Sequence, residues 1–430
     1  MGSNLPENGA LHAQVLELLS EFGQFGRTEA GGISRLAASA EDKAARDHLC
    51  HWLKANGFVV LVDPIGNIFG VLDFGVTDTD RVFFSGSHMD SQPNGGNYDG
   101  CLGVVCACIA ALCLKDKIAA KELVPAYRYY VVACWTGEEG ARFQPSLIGS
   151  SVFEGTLELD DAWGLTDSHG ISLKDALEDT GYLGSDDVPR PDRYLELHIE
   201  QGTRLEASGD AIGLVDACWG ASKLRVQVKG KADHTGPTPM EDRRNALLAA
   251  SRIVVEVEAI SERAEDTLYS SVGRMMLSPN SPNTVVSDAE LWVEFRSAHQ
   301  GALDDAEAAL EAALMTIGKK TGCDLSIVLC ERRKAIRFDE TAVLLAGKAL
   351  ARAGIKHRRL DTIAGHDAIR LQSVCPSALL FIPSKDGITH SPLEFTSDED
   401  VCAGFDAMVV VLAALIAKPE VDIESRRSLQ

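Results

Sequence analysis

Histidine and carboxylate side chains follow several strand-like segments of this chain of 430 residues. Imidazole and carboxylate groups together are the ligands that zinc and similar divalent ions bind in proteins. A single carboxylate can bridge two such ions about 3.5–4 Å apart, which gives a hydrolytic centre with two metals. The sequence therefore predicts metal-assisted hydrolysis, and the candidate ligands are His88, Asp99, Glu139, His198 and His390.

Two further carboxylates lie beside these candidate ligands. Asp90 is two residues after His88, where its carboxylate could accept a hydrogen bond from the second ring nitrogen of the histidine. Glu138 directly precedes Glu139. Taken alone, a Glu-Glu pair is common on surfaces, and an Asp-Gly pair is common in turns and helix caps. The occurrence of all these residues after strand-like segments favours a single site.

The segments that would position these residues alternate between strand and helix up to about residue 215. In an open α/β sheet, ligands bind beyond the carboxyl ends of the strands, so residues that follow different strands can meet at one edge. The βαβ order predicts a mixed, mostly parallel sheet with helices on both faces. The predicted strands are 58–62, 68–72, 82–85, 126–134 and 194–199, and the predicted helices are 41–56 and 102–115.

A second unit interrupts this pattern. Its predicted strands are 223–229, 270–276, 289–296 and 325–330, and its predicted helices are 242–265 and 304–320. The order βαββαβ is that of ferredoxin-like α+β domains. The α/β pattern then returns, with helix 341–353, strand 378–382 and helix 397–417. We therefore predict a discontinuous catalytic domain of residues 1–216 and 333–430 and an inserted domain of residues 217–332.

Acidic residues dominate the charge of the chain. Asp and Glu number 63 against 41 Lys and Arg, which gives a formal charge of -22. A surface of this charge favours solubility and repels phosphate backbones and anionic lipid head groups. We therefore expect neither nucleic acid nor a membrane surface as a partner.

Cysteine usage and the first residues bear on the compartment. The 11 cysteines are odd in number and several lie in apolar runs, which predicts reduced, buried thiols rather than a disulfide framework. The first 21 residues have neither the basic start nor the apolar core of a signal peptide. The longest uncharged run, 100–114, is too short to span a bilayer. We expect a cytoplasmic protein.

Motifs around the candidate ligands occur in a fixed order along most of the chain. They lie at 86–90, 93–100, 138–143, 196–202, 233–240, 364–368 and 384–394. Through them the sequence resembles the M20-type metallohydrolases, and within these the group of N-carbamoyl-L-amino acid amidohydrolases, allantoate amidohydrolases and β-ureidopropionases. A histidine at position 198 is typical of this group, whereas many M20 peptidases have a carboxylate there.

The resemblance implies roles for the metal-site residues. It implies two divalent ions per subunit, with zinc as the default and manganese, cobalt or nickel as substitutes. Glu138 would be the general base that takes a proton from the attacking water and later delivers one to the leaving nitrogen, and Asp90 would belong to the same catalytic set. The implied ligands are His88, Asp99 and His198 for the first ion and Asp99, Glu139 and His390 for the second.

The resemblance also implies a small-molecule substrate that carries a carboxylate, and a homodimer. The inserted domain would be the lid and dimerisation domain. His234, Asn283 and Arg296 would bind the substrate carboxylate or the developing oxyanion, with His234 serving the active site of the second subunit. Without the resemblance, a surface salt bridge would be the simpler interpretation of Arg296. Gln201 would contact the urea or amide group, and Gly365 completes the implied substrate-binding set.

The predicted reaction is hydrolysis of the carbamoyl (ureido) or a related linear amide C–N bond, most simply N-carbamoyl-L-amino acid to amino acid, ammonia and carbon dioxide. Trp219 at the hinge and Lys385 in the loop before His390 depart from the family pattern, as does Gly137, and they leave the substrate side chain open. The alternatives are an allantoate-type amidohydrolase, an N-acyl amino acid amidase or dipeptidase on the same site, and an inactive metal-binding scaffold.

Overall fold

The structure is a computed structural model that describes residues 9–418. The described chain folds into two compact units. The larger unit comprises the chain up to Asp216, Phe338–Leu360 and the chain from Gly365 onward, and the smaller unit comprises Ala217–Arg337 and Asp361–Ala364. The assignment of these units as catalytic domain and lid stays a prediction.

Helices and strands alternate along the larger unit, as the sequence predicts. The strands are β1 Val59–Val62, β2 Ile68–Asp73, β3 Val82–His88, β4 Tyr129–Trp135, β5 Arg193–Ile199, β6 Ile212–Cys218, β7 Gly220–Lys229, β8 Asp233–His234, β9 Tyr269–Ser278, β10 Thr284–Val285, β11 Asp288–Ser297, β12 Asp324–Arg333, β13 Ile336–Arg337, β14 His357–Thr362 and β15 Ser377–Ile382. The α-helices are α1 Gly9–Phe22, α2 Ala40–Ala55, α3 Cys101–Ala119, α4 Ile148–Glu154, α5 Leu159–Trp163, α6 Leu173–Thr180, α7 Arg204–Ser208, α8 Ala246–Arg263, α9 Gln300–Thr321, α10 Glu340–Arg352, α11 Asp367–Leu371 and α12 Asp398–Ile416. Short 3-10 turns lie at Met240–Asp242, Glu265–Thr267 and Lys385–Gly387.

The strands of the larger unit form one mixed sheet. Its order is β1-β2-β4-β3-β5-β15-β6, and β14 also pairs with β6. The central strands β4, β3, β5 and β15 run parallel, whereas β1, β2 and β6 pair antiparallel with their neighbours. The predicted α/β class is confirmed. The carboxyl ends of the four parallel strands lie at one edge, which is where the candidate ligands must meet.

Helix α3 covers the parallel centre of the sheet. It is buried along most of its length because its residues are apolar on nearly every side. The closest approach is at Gly103, where a Cβ atom would lie 2.4 Å from the carbonyl oxygen of Leu197 and 2.8 Å from the Cβ of Ser87. Cys106 and Cys108 are fully buried inside this helix, and the 11 cysteines are unpaired, as the apolar runs predict.

The smaller unit has the predicted ferredoxin-like architecture. Its sheet has the antiparallel order β12-β7-β11-β9, in which the first and third strands of the unit are central. Inward-facing residues of β7, such as Leu224, Val226 and Val228, are buried in one core with the apolar faces of α8 and α9. The predicted helix 242–265 begins later, at Ala246, because Asn245 caps it and Met240–Asp242 form a separate turn.

The membrane expectation has one structural counterpart. Within residues 9–418, none of the helices combines the length and the apolar character needed to cross a bilayer.

Replacing Gly103 by alanine tests the contact between α3 and the sheet. The added methyl group must displace the backbone at Leu197 or the side chain of Ser87, and overpacking of this kind costs about 1–3 kcal/mol. We expect a lower free energy of unfolding in urea. Gly301→Ala is the matched control, because Gly301 lies in α9 with no atom within 4 Å of the added Cβ. Equal stability of the two variants would contradict the packing.

Candidate metal and catalytic site

The parallel strands bring the candidate ligands to one edge of the sheet. His88 is the last residue of β3, and His198 is the penultimate residue of β5. Glu139 follows β4 by four residues, and His390 lies in the loop after β15. Asp99 directly precedes the Gly100 cap of α3. The structure therefore gathers all five residues from five separate segments.

Asp99 lies at the centre of the gathered residues, and its two carboxylate oxygens face different partners. Its Oδ1 lies 3.6 Å from Nε2 of His88 and 3.1 Å from Nε2 of His198. Its Oδ2 lies 3.3 Å from Nε2 of His390, and the same nitrogen lies 3.4 Å from Oε2 of Glu139. Each trio has ligand atoms within 4.8 Å of one another. One shared carboxylate between two trios is the arrangement that two bridged ions require.

The two buried histidines present the nitrogen that a metal ion needs. Nδ1 of His88 lies 3.0 Å from the carbonyl oxygen of Asp90, and Nδ1 of His198 lies 2.9 Å from that of Ile199. A carbonyl oxygen only accepts, so each Nδ1 carries the proton and each Nε2 has a free lone pair. The main-chain N–H of Gly100 donates to Nε2 of His198 at 3.2 Å, in agreement with this tautomer.

The charges of the site favour a cation. Burial raises the pKa of Glu139 to about 7, and the neighbouring Asp99 raises it further. Burial alone would lower the pKa of His390, but the hydrogen bond to Asp99 and the charge of Glu139 raise it to about 9. Both shifts report uncompensated negative charge. A divalent ion held by these oxygen and nitrogen donors would neutralise it, so the residues fit a metal centre.

Glu138 lies beside the trios and is suited to proton transfer. Its Oε2 is 3.5 Å from Nε2 of His88, and the residue is buried. Burial raises the pKa of this carboxyl well above its usual value, and the charges of Asp367, Glu139 and Asp99 raise it further. A carboxyl group with a raised pKa can both accept and return a proton near neutral pH, which a general acid–base group must do.

Asp90 differs from the expectation. Its main-chain carbonyl, and not its carboxylate, accepts the ring N–H of His88; Oδ1 is 3.7 Å from that nitrogen. The carboxylate instead accepts two main-chain N–H groups, that of Glu138 at Oδ1 and that of Glu139 at Oδ2, each at 3.2 Å. The reason is local geometry, because β3 ends at His88 and the carboxylate then points toward the loop after β4. Asp90 therefore positions the Glu138–Glu139 loop.

Two predicted substrate-binding residues lie in the larger unit. Gln201 reaches the metal site, where its Nε2 donates to Oδ2 of Asp99 at 2.8 Å. Gly365 is half-buried and precedes His366, whose ring centroid is 4.5 Å from that of His198. A substrate contact of either residue stays a prediction.

The other three predicted substrate-binding residues lie in the smaller unit. His234 pairs with Thr284 in the short β8–β10 ladder, and the N–H of Thr235 donates to the carbonyl of Asn283 at 3.2 Å, so His234 and Asn283 are neighbours. Arg296 lies near the far end of β11. Its Nη1 donates to the carbonyl of Ile363 at 2.8 Å, and its Nη2 lies 3.0 Å from Oε1 of Glu294. Arg296 thus has an ion-pair partner, and its substrate role stays a prediction.

The two departures from the family pattern have partners within their own units. The ring centroid of Trp219 is 5.3 Å from that of Tyr269 in the smaller unit. The ammonium of Lys385 lies 5.9 Å from the ring centroid of Phe395 in the larger unit.

Sequence reasoning missed the side chains that support the ligands. Glu196 is buried between the hydroxyl of Ser87, which donates to Oε1 at 2.7 Å, and the N–H of Ala368, which donates to Oε2 at 2.8 Å. Glu394 and Thr389 lie close to Asp99. Both belong to the matched segment 384–394, so the signal was a carboxylate four residues after His390 that the motif contained but no role explained.

A buried cluster of three imidazoles and two carboxylates at the parallel edge of an α/β sheet defines a metallohydrolase centre. Comparison with known proteins agrees. The family model of peptidase family M20/M25/M40 matches residues 84–414. An N-carbamoyl-L-amino-acid amidohydrolase of Rhizobium meliloti is 35% identical, over 94% of this chain and 96% of the relative. An allantoate amidohydrolase of Bacillus subtilis is 31% identical, over 93% and 97%.

A solved structure has the same fold throughout. It is an amidase of the hydantoinase/carbamoylase family from Burkholderia vietnamiensis, with a TM-score of 0.90 and 33% identity, over 95% of this chain and 98% of that chain. The chain belongs to peptidase family M20/M25/M40. It is a metal-dependent amidohydrolase of the carbamoylase and allantoate type, which hydrolyses linear amide bonds of small molecules. The alternative of an inactive scaffold is set aside.

Replacing Asp90 by asparagine tests the clamp on the Glu138–Glu139 loop. The carboxamide keeps one acceptor oxygen, but its NH2 group faces a main-chain N–H that it cannot satisfy. Loss of a residue that orients metal ligands costs about 10–100-fold in activity or metal affinity, and we expect a fall of that size in kcat.

The matched control is Asp167→Asn, because Asp167 also accepts two main-chain N–H groups, those of His169 and Ile171, in a turn that carries no candidate ligand. Its kcat should not change. Equal losses in both variants would show that Asp90 acts only on stability.

Proposed function

We propose that this chain hydrolyses N-carbamoyl-L-amino acids to the amino acid, ammonia and carbon dioxide, with two zinc ions per subunit. The position of Asp99 between two trios of ligands, with Glu138 beside them, is the observation on which the proposal depends. The carbamoyl substrate is supported by the named activity of the Rhizobium meliloti relative.

The ligand assignment follows the two trios. His88 and His198 would hold the first ion with Oδ1 of Asp99, and His390 and Glu139 would hold the second with Oδ2. When bound, the ions would supply a Lewis acid for the scissile carbonyl and would lower the pKa of water. Manganese, cobalt or nickel can replace zinc in a mixed nitrogen and oxygen site.

Glu138 and Glu139 divide two tasks that one carboxylate cannot perform together. Glu139 faces His390 as a ligand, so its oxygens are committed. Glu138 is free of that duty, and its Oε2 can take a proton from the attacking water and pass one to the leaving nitrogen. Its raised pKa keeps the proton on the carboxyl between the two steps near neutral pH.

Five residues would orient the substrate. The guanidinium of Arg296 suits a carboxylate because its planar fork matches the two oxygens. Gln201, already at the metal site, would donate to the ureido oxygen. The full set is Gln201, His234, Asn283, Arg296 and Gly365.

Allantoate is the second candidate substrate, because it also carries a ureido group beside a carboxylate and the Bacillus subtilis relative is named for it. The ligand set would be the same for both reactions. Only the groups around the substrate side chain can distinguish them.

Ammonia release from a substrate panel tests the proposal. We expect the chelator-treated protein to be inactive and the protein reloaded with zinc, manganese or cobalt to release ammonia from at least one N-carbamoyl-L-amino acid. The panel should span apolar, aromatic and acidic side chains and include N-carbamoyl-β-alanine, allantoate and several N-acyl amino acids. Amine release measures turnover of the acyl compounds.

Glu138→Gln is the control for chemistry, because it keeps the size of the side chain and removes the proton acceptor. Its kcat should fall by about 10²–10⁴-fold. Turnover of allantoate alone would support the second candidate. Turnover of N-acyl compounds with silence on every ureido compound would contradict the proposal and indicate an amidase or dipeptidase.

We infer further that the smaller unit joins two copies of the chain. β9 is an edge strand, and the unpaired groups of such an edge are ready to bind another strand. Apolar side chains are exposed on β9, at Met275 and Met276, and on the adjoining α8, at Leu248 and Val255. A continuous exposed apolar surface of this kind is typical of an interface.

Charge placed on this surface tests the dimer. We expect the wild-type chain to sediment as a dimer and the double variant Met276→Lys, Val255→Lys to sediment as a monomer, because two buried ammonium groups would oppose association. Val328→Lys on the opposite edge strand β12 is the matched control, since Val328 is 42% exposed. A monomeric wild type, or a dimer that survives the double variant, would refute this interface.

A further inference from the structure

One buried carboxylate connects the loop of Asp99 with the loop of His390. The side chain of Glu394 is almost fully buried, with 4% of its surface exposed. Its Oε1 accepts the main-chain N–H groups of Tyr98 at 3.0 Å and of Asp99 at 3.1 Å. Its Oε2 lies 3.1 Å from the hydroxyl of Thr389. All of these residues belong to the larger unit.

Thr389 extends the connection to the side chain of Asp99. Its hydroxyl lies 3.1 Å from Oδ2 of Asp99, the same oxygen that faces Nε2 of His390 at 3.3 Å. Glu394 therefore fixes Asp99 in two ways, through the main chain directly and through the carboxylate by way of Thr389. The shared ligand and the loop of His390 cannot move apart without breaking one of these hydrogen bonds.

Gly96 makes this approach possible. A Cβ at position 96 would lie 1.8 Å from Cδ of Glu394. Any side chain there would displace the carboxylate from the N–H groups of Tyr98 and Asp99. The absence of a side chain at this position therefore has a specific reason.

The loop of His390 needs such a fixed point. His390 has a positive φ of 53° and its side chain is 46% exposed, so neither backbone preference nor burial holds the ring in place. By contrast, His88 and His198 lie on strands and are buried. The trio of Asp99, Glu139 and His390 is the one that depends on loops.

We propose that Glu394 is a positioning residue that sets Asp99 against the His390 loop and so determines how tightly the trio of Asp99, Glu139 and His390 binds its ion. The inference relies on the proposed two-ion site but not on the identity of the substrate. Thr389 and Gly96 are the other parts of the same device.

Zinc affinity measured by competition with a chelator tests this role. We expect Glu394→Ala to weaken binding of one zinc ion by about 10–100-fold, the usual effect of losing a residue that orients ligands. Glu394→Gln should stay within a few-fold of wild type, because its oxygen can accept both N–H groups and its NH2 can donate to the hydroxyl of Thr389. In the metal-free protein, hydrogen exchange of segment 93–100 should be faster in the alanine variant.

Two further variants keep the test decisive. Gly96→Ala, which leaves Glu394 in the chain and displaces its carboxylate, should reproduce the loss of zinc affinity even if Glu394→Ala folds poorly. Glu307→Ala removes a buried carboxylate of the smaller unit, which binds Ser222 and Arg332, and should lower stability without changing zinc affinity.

Specific outcomes would overturn the proposal. They are wild-type zinc affinity in both Glu394→Ala and Gly96→Ala, an equal loss in Glu394→Gln and Glu394→Ala, an equal loss in Glu307→Ala, or a wild-type chain that binds no zinc. Failure of the substrate assay would leave these affinities unchanged, so the two proposals fail separately.

Discussion

Buried negative charge is the constraint that the rest of this structure serves. Asp90, Asp99 and Glu138 are each less than one-tenth exposed and lie close together at the edge of an apolar sheet. Carboxylates in such a place lose hydration and repel each other, so each must find donors or cations. Imidazoles, main-chain N–H groups and the proposed metal ions supply them. The parallel strands matter because they deliver these donors from distant parts of the chain to one place.

The site is built from two kinds of support. The strands β3 and β5 are buried on both sides and hold their histidines by secondary structure. The loops that carry Glu138 and Asp99 have no ladder to hold them, and buried carboxylates bind their main-chain N–H groups instead, Asp90 in one case and Glu394 in the other. A carboxylate that accepts two N–H groups replaces a missing strand partner at a point where an extended strand would leave no room for a ligand.

The sequence predicted the parts of the fold that depend on periodic apolar residues. The βαββαβ order of the smaller unit and the apolar helix after Asp99 follow from such patterns. The convergence of the ligands follows from the rule for parallel strands. It could not predict which atom of Asp90 binds His88, since that depends on where β3 ends. Nor could it assign Glu394, whose partners lie 295 and 296 residues away and carry no local signal. Short helices such as Leu159–Trp163 escaped because they lack a repeat long enough to recognise.

The division of Asp99 between two trios has a consequence for how such a site can change. Each histidine, like Glu139, belongs to one trio only, or supports it alone, so substitutions there alter one half of the centre. Asp99 belongs to both, and a substitution there removes a ligand from each half in one event. The ion sites are consequently linked, with occupancy of one changing the charge that the other meets. Descent toward a one-ion enzyme is therefore open through the peripheral ligands and closed through the central one.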